Sequence, residues 1–406
     1  MGAYNRTNGE PCCASSLLMG ILRDDWGFEG HFVSDCWAIS DFHLHHKVTE
    51  GPFESAALGV EMGCDLNCGD TYESIMGAYH EGLISEEWID RSVTRLMSTR
   101  FKLGMFDPDD LVPLADTPTS VINQDSHRRL ALEAAEKSIV LLENDGTLPI
   151  DPTIKRIMVT GPNAASLDAL MANYYGTSGR MVTVLEGLVN QLPEGISVEF
   201  KPGVPVDKPC PNPRDWVSFD AANHDLVLAV VGLSPFLEGE EGDAILSEHL
   251  GDRDLVELPD HQVAWLSKVM DTGTPVVVVV LAGSAVACPE VYERAAAVLY
   301  GWYPGEEGGT AIARMLTGDT VPSGRLPFTI PRSTDQLPPF DDYAMEGRTY
   351  RFMEEAPQYR FGRGLSYTTF EYSELSCRGS SVDEPVAVTV EVANAGPAAA
   401  DEVVQV

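Results

Sequence analysis

The sequence is short of basic charge, cysteine and long apolar runs, and each shortage excludes a class of protein. Only 27 of the 406 residues are Lys or Arg, against 62 Asp and Glu, so the formal net charge is -35. This charge repels phosphate backbones and anionic membranes, so neither nucleic acid nor a membrane surface is an expected partner. No segment approaches the ~20 apolar residues of a membrane span. Residues 1–6 lack the regions of a signal peptide.

The eight cysteines are few for a chain of this length. Cys64 and Cys68 are separated by three residues, but no second pair completes a zinc site. We therefore expect reduced, buried cysteines, which gives a slight preference for a cytoplasmic location.

One acidic residue, Asp35, follows the short apolar run Phe32–Ser34. The preceding segment Leu17–Trp26 has helical apolar spacing, and the turn Gly27–Gly30 ends that helix. A helix, a turn and a strand with an acid at its carboxyl end is how parallel α/β barrels place catalytic groups. The local pattern is equally compatible with an Asp that caps the next helix.

The chain divides by pattern into two α/β segments and a final β segment. The first ends near residue 110 and is followed by a polar linker to about Asp125; its predicted strands are Met1–Asn5, Phe32–Ser34 and Gly63–Leu66, and its later helices lie at roughly 53–62, 71–82 and 86–103. The second, from about 127 to 330, has buried apolar runs that predict a parallel sheet covered on both faces. The final segment predicts strands at Val386–Val392 and Glu402–Val406.

A cluster of carboxylates follows the apolar run Asp225–Val231 in the second segment. Glu238, Glu240 and Glu241 lie where open α/β sheets bind ligands, at the carboxyl end of a strand. Crowded carboxylates favour protonation of a partly buried member, and glycosidic bond cleavage uses one protonated and one ionised carboxyl group. A solvated acidic loop is the alternative.

Other chemistries have weaker support in the sequence. The tract His43–His46 could chelate a metal, but it lacks the spacing of known zinc motifs, and a polar loop that lines a sugar site is the preferred interpretation. The segment Val159–Asn163 lacks both common nucleotide-binding patterns. Ser34 and Ser284 lack the elbow motif of serine hydrolases.

Several motifs together resemble glycoside hydrolase family 3. The resemblance covers essentially the whole chain, and its motifs are Met1–Gly9, Leu22–Gly30, Val33–Asp35, Ser138–Asn144, Gly301–Gly305, Ser323–Pro327 and Phe361–Thr368. The resemblance implies a retaining β-glycosidase built from a (β/α)8 barrel, an α/β sandwich and a fibronectin type III-like domain. No cofactor or metal is implied, and the implied partner is an oligosaccharide or an aryl or alkyl β-glycoside.

The resemblance also implies roles for individual residues. Asp35 matches the family's nucleophile, and Glu240 best matches its acid/base, with Glu238 as a competitor because an insertion precedes Asp252 and Arg253. Met1 and Tyr4 match residues that line the subsite of the cleaved sugar. Ser178, in a loop that resembles the one reaching that subsite, is a further implied contact.

We therefore expect an α/β protein that contains the C-terminal part of a (β/α)8 barrel at 1–115, an α/β sandwich at 127–345, a connector at 346–384 and the start of a fibronectin type III-like domain at 385–406. About 110 residues cannot form a barrel that typically takes ~250, so we expect a fragment that is inactive by itself. The expected activity is that of a β-glucosidase, with a β-xylosidase or another exo-β-glycosidase as the alternative. A non-catalytic carbohydrate-binding or scaffold protein is the alternative from another class.

Overall fold

The structure is a computed structural model that describes residues 1–379 and 385–405. It divides into two compact units, Met1–Thr119 and Ser120–Val406. Among the described residues, no helix combines the length and the apolar character that crossing a membrane requires.

Five α-helices are the main regular elements of the first unit. They are α1 (Ser16–Gly20), α2 (Asp41–Leu44), α3 (Pro52–Met62), α4 (Ile75–His80) and α5 (Glu86–Lys102), and two short strands, β1 (Arg6–Thr7) and β2 (Glu10–Pro11), pair antiparallel. The predicted helix at Leu17–Trp26 is present as α1 followed by a π-helical turn at Ile21–Asp25.

The three strands that the sequence predicts for this unit are reduced to isolated parallel bridges. Gly2 pairs with Ser34, and Val33 pairs with Leu66, so three extended segments lie side by side in chain order. The buried residues around them are apolar and include Ala38, Ile39 and Phe42. The parallel arrangement agrees with the prediction, whereas continuous strands at these positions are absent.

A six-stranded sheet forms the centre of the second unit. Its strands are β3 (Val140–Asn144), β4 (Arg156–Thr160), β5 (Ser197–Lys201), β6 (Leu226–Gly232), β7 (Val276–Leu281) and β8 (Ala297–Tyr300). The spatial order is β3-β8-β7-β6-β4-β5, and every pair is parallel except β3 with β8. The parallel sheet predicted from the valine-rich runs is therefore present, with an antiparallel edge strand added.

Helices cover both faces of this sheet. They are α6 (Asp125–Ser138), α7 (Val184–Gln191), α8 (Trp216–Ala221), α9 (Asp260–Met270), α10 (Pro289–Tyr292) and α11 (Gly308–Thr317). Alternate residues of β6 face opposite cores: Val227 packs in the core with α9, and Leu228 packs in the core with α7 and α11. This three-layer packing removes the side chains of the central strands β6 and β7 from water, at roughly 1.5–3 kcal/mol for each large apolar side chain.

The predicted and the observed strands of the second unit differ at three places: β5, β9 (Phe370–Arg378) and the end of the chain. The edge strand β5 was not predicted, because its sequence Ser-Val-Glu-Phe-Lys has only two apolar residues and none of its residues is fully buried. Strand β9 lies inside the predicted connector and pairs antiparallel with β10 (Ala387–Asn394). Its side chains are almost all exposed, so it carries no apolar alternation.

The strand predicted at Glu402–Val406 is wrong for its described part, because residues 401–405 form no strand. The side chain of Glu402 pairs instead with Arg325. Residues 380–384 of the predicted connector and Val406 lie outside the described residues. One further helix, α12 (Thr349–Phe352), precedes the hairpin.

Candidate active site

Asp35 lies directly after the central one of the three extended segments of the first unit. Its backbone N–H donates to the carbonyl of Gly2 at 2.8 Å, which continues the parallel pairing of Gly2 with Ser34. One carboxylate oxygen, Oδ1, accepts the N–H of Cys36 at 2.8 Å. The side chain is only partly buried, so the carboxylate keeps lone pairs available to a ligand. These features suit a nucleophile more than an inert buried acid.

A disulfide follows Asp35 in sequence and overturns the expectation of reduced cysteines. Cys36 is bonded to Cys68, 32 residues later. The backbone supports this join, because Trp37 N–H donates to the carbonyl of Cys68 at 2.7 Å and Cys68 N–H donates to Ser34 Oγ at 3.0 Å. The other six cysteines are free. Since disulfides persist in oxidising compartments, the cysteine content does not support the cytoplasmic preference.

Met1 and Tyr4 flank the extended segment that pairs with Ser34. Gly2 N–H donates to the carbonyl of Val33 at 2.8 Å. The extended segment that begins at Met1 therefore runs parallel to the segment that leads to Asp35. Met1 and Tyr4 are 76% and 49% exposed. The structure thus brings both predicted contacts onto the segment adjacent to Asp35.

Glu238 and Glu240 have opposite surroundings in the loop after β6. Glu238 has a side chain only 6% exposed, and its carboxylate accepts from the Gly283 N–H and the Tyr303 hydroxyl, both at 2.6 Å. It also accepts from Ser284 Oγ and forms an ion pair with Arg253. Glu240 is exposed, and its Oε2 accepts from the Tyr174 hydroxyl at 2.6 Å.

The two carboxylates therefore differ in exposure and in hydrogen-bond partners, a difference that the sequence did not indicate. A general acid must reach its substrate and must gain and lose a proton. The carboxylate of Glu238 is nearly buried and already bound by Gly283, Ser284, Tyr303 and Arg253, whereas Glu240 is open to solvent. Glu241 is also exposed.

Ser178 belongs to a hydrogen-bond network within the second unit. Its hydroxyl donates to Glu306 Oε2 at 2.5 Å and accepts from Asn123 Nδ2 at 2.8 Å. Arg128 joins the same carboxylate at 3.0 Å. This network ties the loop of Ser178 to the beginning of α6, a structural role that its sequence did not indicate.

The histidine tract does not form a cluster of metal ligands. His43 Nδ1 lies 2.9 Å from Ser55 Oγ, and His45 Nε2 lies 3.7 Å from Asp41 Oδ1. In residues 1–379 and 385–405, no group of three His, Cys, Asp or Glu side chains is arranged to hold a metal ion.

Two features of the site were missed by sequence reasoning. Tyr174, which contacts Glu240, directly precedes the Tyr175–Gly179 motif but carries no signal of its own. Ser284 is the second feature; it was considered only as a hydrolase nucleophile, whereas it is a partner of Glu238. Both depend on contacts between segments distant in sequence.

Comparison with models of known protein families shows to which family the chain belongs. The model of the glycosyl hydrolase family 3 N-terminal domain matches residues 1–99, and that of the family's C-terminal domain matches residues 139–367. The chain belongs to glycoside hydrolase family 3. Its α/β fold with a central parallel sheet agrees with that of solved members of the family.

Individual relatives carry the names of two related activities. The chain is 29% identical to a xylan 1,4-beta-xylosidase of Xylanibacter ruminicola and 32% identical to a periplasmic beta-glucosidase of Salmonella typhimurium, in each case over 100% of this chain. It spans only 64% and 57% of the lengths of these relatives. A solved family 3 exo-beta-xylosidase, in complex with a xylobiose aziridine probe, is 29% identical with a TM-score of 0.83, covering 91% of this chain and 48% of the other.

Proposed function

We propose that the whole protein containing these residues is a retaining exo-β-glycosidase that releases terminal non-reducing β-D-glycosyl units. The observation that carries the proposal is the match of both family domains, with Asp35 at the end of the central parallel segment. The -35 net charge is compatible with uncharged sugars and unfavourable for anionic polymers.

In the proposed mechanism, Asp35 and Glu240 share the two displacement steps. An Asp35 carboxylate oxygen attacks the anomeric carbon while Glu240 gives its proton to the departing glycosidic oxygen, which leaves as an alcohol. Water then attacks the anomeric carbon of the glycosyl-Asp35 ester and transfers a proton to Glu240. The Asp35–sugar bond breaks, and the sugar leaves with its β configuration retained.

The surroundings of each carboxylate support this division of roles. Asp35 has one fixed N–H partner from Cys36 and a partly open carboxylate. Glu240 is exposed, with the Tyr174 hydroxyl as a hydrogen-bond partner, so it can exchange protons with substrate and water. Met1 and Tyr4 are proposed to line the subsite of the cleaved sugar. Ser178 is also proposed there, although its hydroxyl already serves Asn123 and Glu306.

The finer architecture is also a proposal. The three parallel segments of the first unit are assigned to a (β/α)8 barrel, within the range 1–115. The second unit contains the proposed sandwich, 127–345. The hairpin of β9 and β10 is assigned to a fibronectin type III-like domain, which moves its beginning from residue 385 to residue 370.

Two activities compete within this proposal. The sequence analysis favoured a β-glucosidase, and one relative carries that name. Other relatives are named as β-xylosidases and support a β-xylosidase equally well. A non-catalytic sugar-binding protein is the alternative from another class.

The proposal is tested by steady-state kinetics of the whole protein on 4-nitrophenyl β-D-glucoside and β-D-xyloside. NMR follows which anomer of the sugar is released first. We expect turnover of at least one substrate and the β-anomer as the first product. Initial release of the α-anomer would contradict the retaining mechanism. Binding of the sugar without turnover would favour the non-catalytic alternative.

A further inference from the structure

The two ends of the loop that carries Glu240 are held together by a close backbone approach and by the side chains of two charged residues. It leaves the sheet after β6 and returns before α9, and residues 239–252 form its exposed part. At its neck the two backbones touch, since a Cβ on Gly251 would lie 2.3 Å from the carbonyl oxygen of Gly239. Gly251 has φ +116, a conformation that other residues rarely adopt.

Glu238 and Arg253 lie just outside this neck and hold the same partner segment. Glu238 accepts from the Gly283 N–H and from Ser284 Oγ. Arg253 Nη1 donates to Ser284 Oγ at 2.6 Å and to the carbonyl of Ala285 at 3.0 Å. The two charged side chains also form an ion pair with each other. Residues 283–285 lie just after the carboxyl end of β7, so both loop ends are held by a segment that a central strand of the sheet positions.

Two tyrosines complete this arrangement from β8 and the residues after it. The Tyr303 hydroxyl donates to Glu238 Oε1 at 2.6 Å, and the Tyr300 hydroxyl donates to the carbonyl of Ser284. Burial, followed by the negative charge of Glu238, raises the pKa of both phenols above the ordinary value. Both therefore remain protonated donors throughout the range in which proteins fold.

We propose that Glu238 is a positioning residue that acts with Arg253 to hold the loop carrying the acid/base Glu240. This inference rests on the proposed function for its catalytic consequence, but its structural part does not. The exposed loop 239–252 buries few side chains of its own, among them Ala244, so its position depends on its two ends. Removing one partner of a buried ion pair leaves the other charge without compensation, which costs far more than an exposed contact.

Kinetics of Glu238→Gln and Glu240→Ala in the whole protein separate positioning from proton transfer. For Glu238→Gln we expect kcat/KM to fall about 10- to 100-fold on alkyl glycosides and disaccharides, and less than about threefold on dinitrophenyl glycosides, because a displaced acid matters most for poor leaving groups. Its pH profile should keep the basic limb that reports Glu240. In Glu240→Ala that limb should disappear.

Azide provides the second distinction between the two carboxylates. In Glu240→Ala, azide should attack the glycosyl enzyme without a general base and yield the β-glycosyl azide. In Glu238→Gln and Glu238→Ala, the remaining Glu240 carboxylate should repel azide, so no azide product should form. Formation of the β-azide by a Glu238 variant would overturn the inference, because Glu238 would then be the acid/base.

Amide hydrogen exchange tests the structural part independently of activity. Residues 239–252 should exchange faster in Glu238→Gln and Arg253→Lys, while β6 and β7 keep their protection. Glu136→Gln is the matched control, because Glu136 pairs with Arg314 elsewhere in the second unit and its loss should leave the loop unchanged. Unchanged exchange in both loop-end variants would overturn the inference. If Glu240→Ala shows neither kinetic signature but the loop exchanges faster in the Glu238 variants, the proposed function fails and the positioning contact stands.

Discussion

Asp35 and Asp65 are carboxylates of neighbouring extended segments in the first unit, with different surroundings. Asp35 follows the bridged residue Ser34 and is partly open, whereas Asp65 precedes the bridged residue Leu66 and has a side chain that is 0% exposed. Arg23 and Arg95 lie 3.1 and 3.2 Å from the two oxygens of Asp65. A position near a predicted strand is therefore insufficient to identify a catalytic acid. The neighbouring arginines indicate that Asp65 is a structural counter-ion.

Replacing Asp65 by Asn should destabilise the first unit strongly. The substitution leaves Arg23 and Arg95 without their buried counter-ion, and breaking such a pair costs about 3–5 kcal/mol. The free energy of unfolding from urea titration measures the effect. Asp90→Asn is the control, since Asp90 is exposed on α5. Equal stability of the two variants would show that Asp65 is not an essential counter-ion.

At the element scale, burial decides which strands the sequence reveals. Strands β6 and β7 are fully buried and appear as continuous apolar runs, so their parallel sheet was predictable. Strands β5 and β9 have no fully buried residue and were missed, because a strand outside the core does not need a continuous apolar run. The loop positions of Tyr174 and Ser284 were not predictable, because their partners are distant in sequence.

The edge strand β5 also provides a pH-dependent contact. His224 has a side chain that is 2% exposed, with Nε2 3.2 Å from Glu199 Oε2 on β5. Burial is the main cause that lowers the pKa of His224, and Arg156 and Lys201 lower it further, whereas Glu199 opposes them. The folded protein therefore resists protonation of His224 more than the unfolded chain does.

The lowered pKa of His224 predicts that the second unit loses stability as the pH falls. As the pH falls from about 6.5 towards the lower folded pKa, the unfolded chain binds the proton first, so unfolding becomes easier by at most about 1.4 kcal/mol per pH unit. Urea unfolding of the second unit between pH 7.5 and 5.5 should show this slope, and His224→Gln should reduce it. His249→Gln, which changes an exposed histidine, should not. An unchanged slope in His224→Gln would contradict the assignment.

At the scale of the whole molecule, the two units supply different parts of the proposed chemistry. The first carries Asp35 with its adjacent segment and its disulfide, and the second carries the Glu240 loop, which follows the central strand β6. Sequence motifs were sufficient to identify the family and to propose Asp35, because both depend on contiguous residues. They did not reveal the different surroundings of Glu238 and Glu240 or the Cys36–Cys68 bond, because both depend on contacts made in the folded chain.

Covalent trapping of the nucleophile tests the central proposal most directly. A 2-deoxy-2-fluoro-β-glycosyl fluoride of the preferred sugar should form a long-lived ester, because the fluorine slows both steps and the good leaving group preserves the first. Mass spectrometry of peptides from the inactivated whole protein should locate one glycosyl group on Asp35. A label on another carboxylate, or full inactivation without a label on Asp35, would contradict the account.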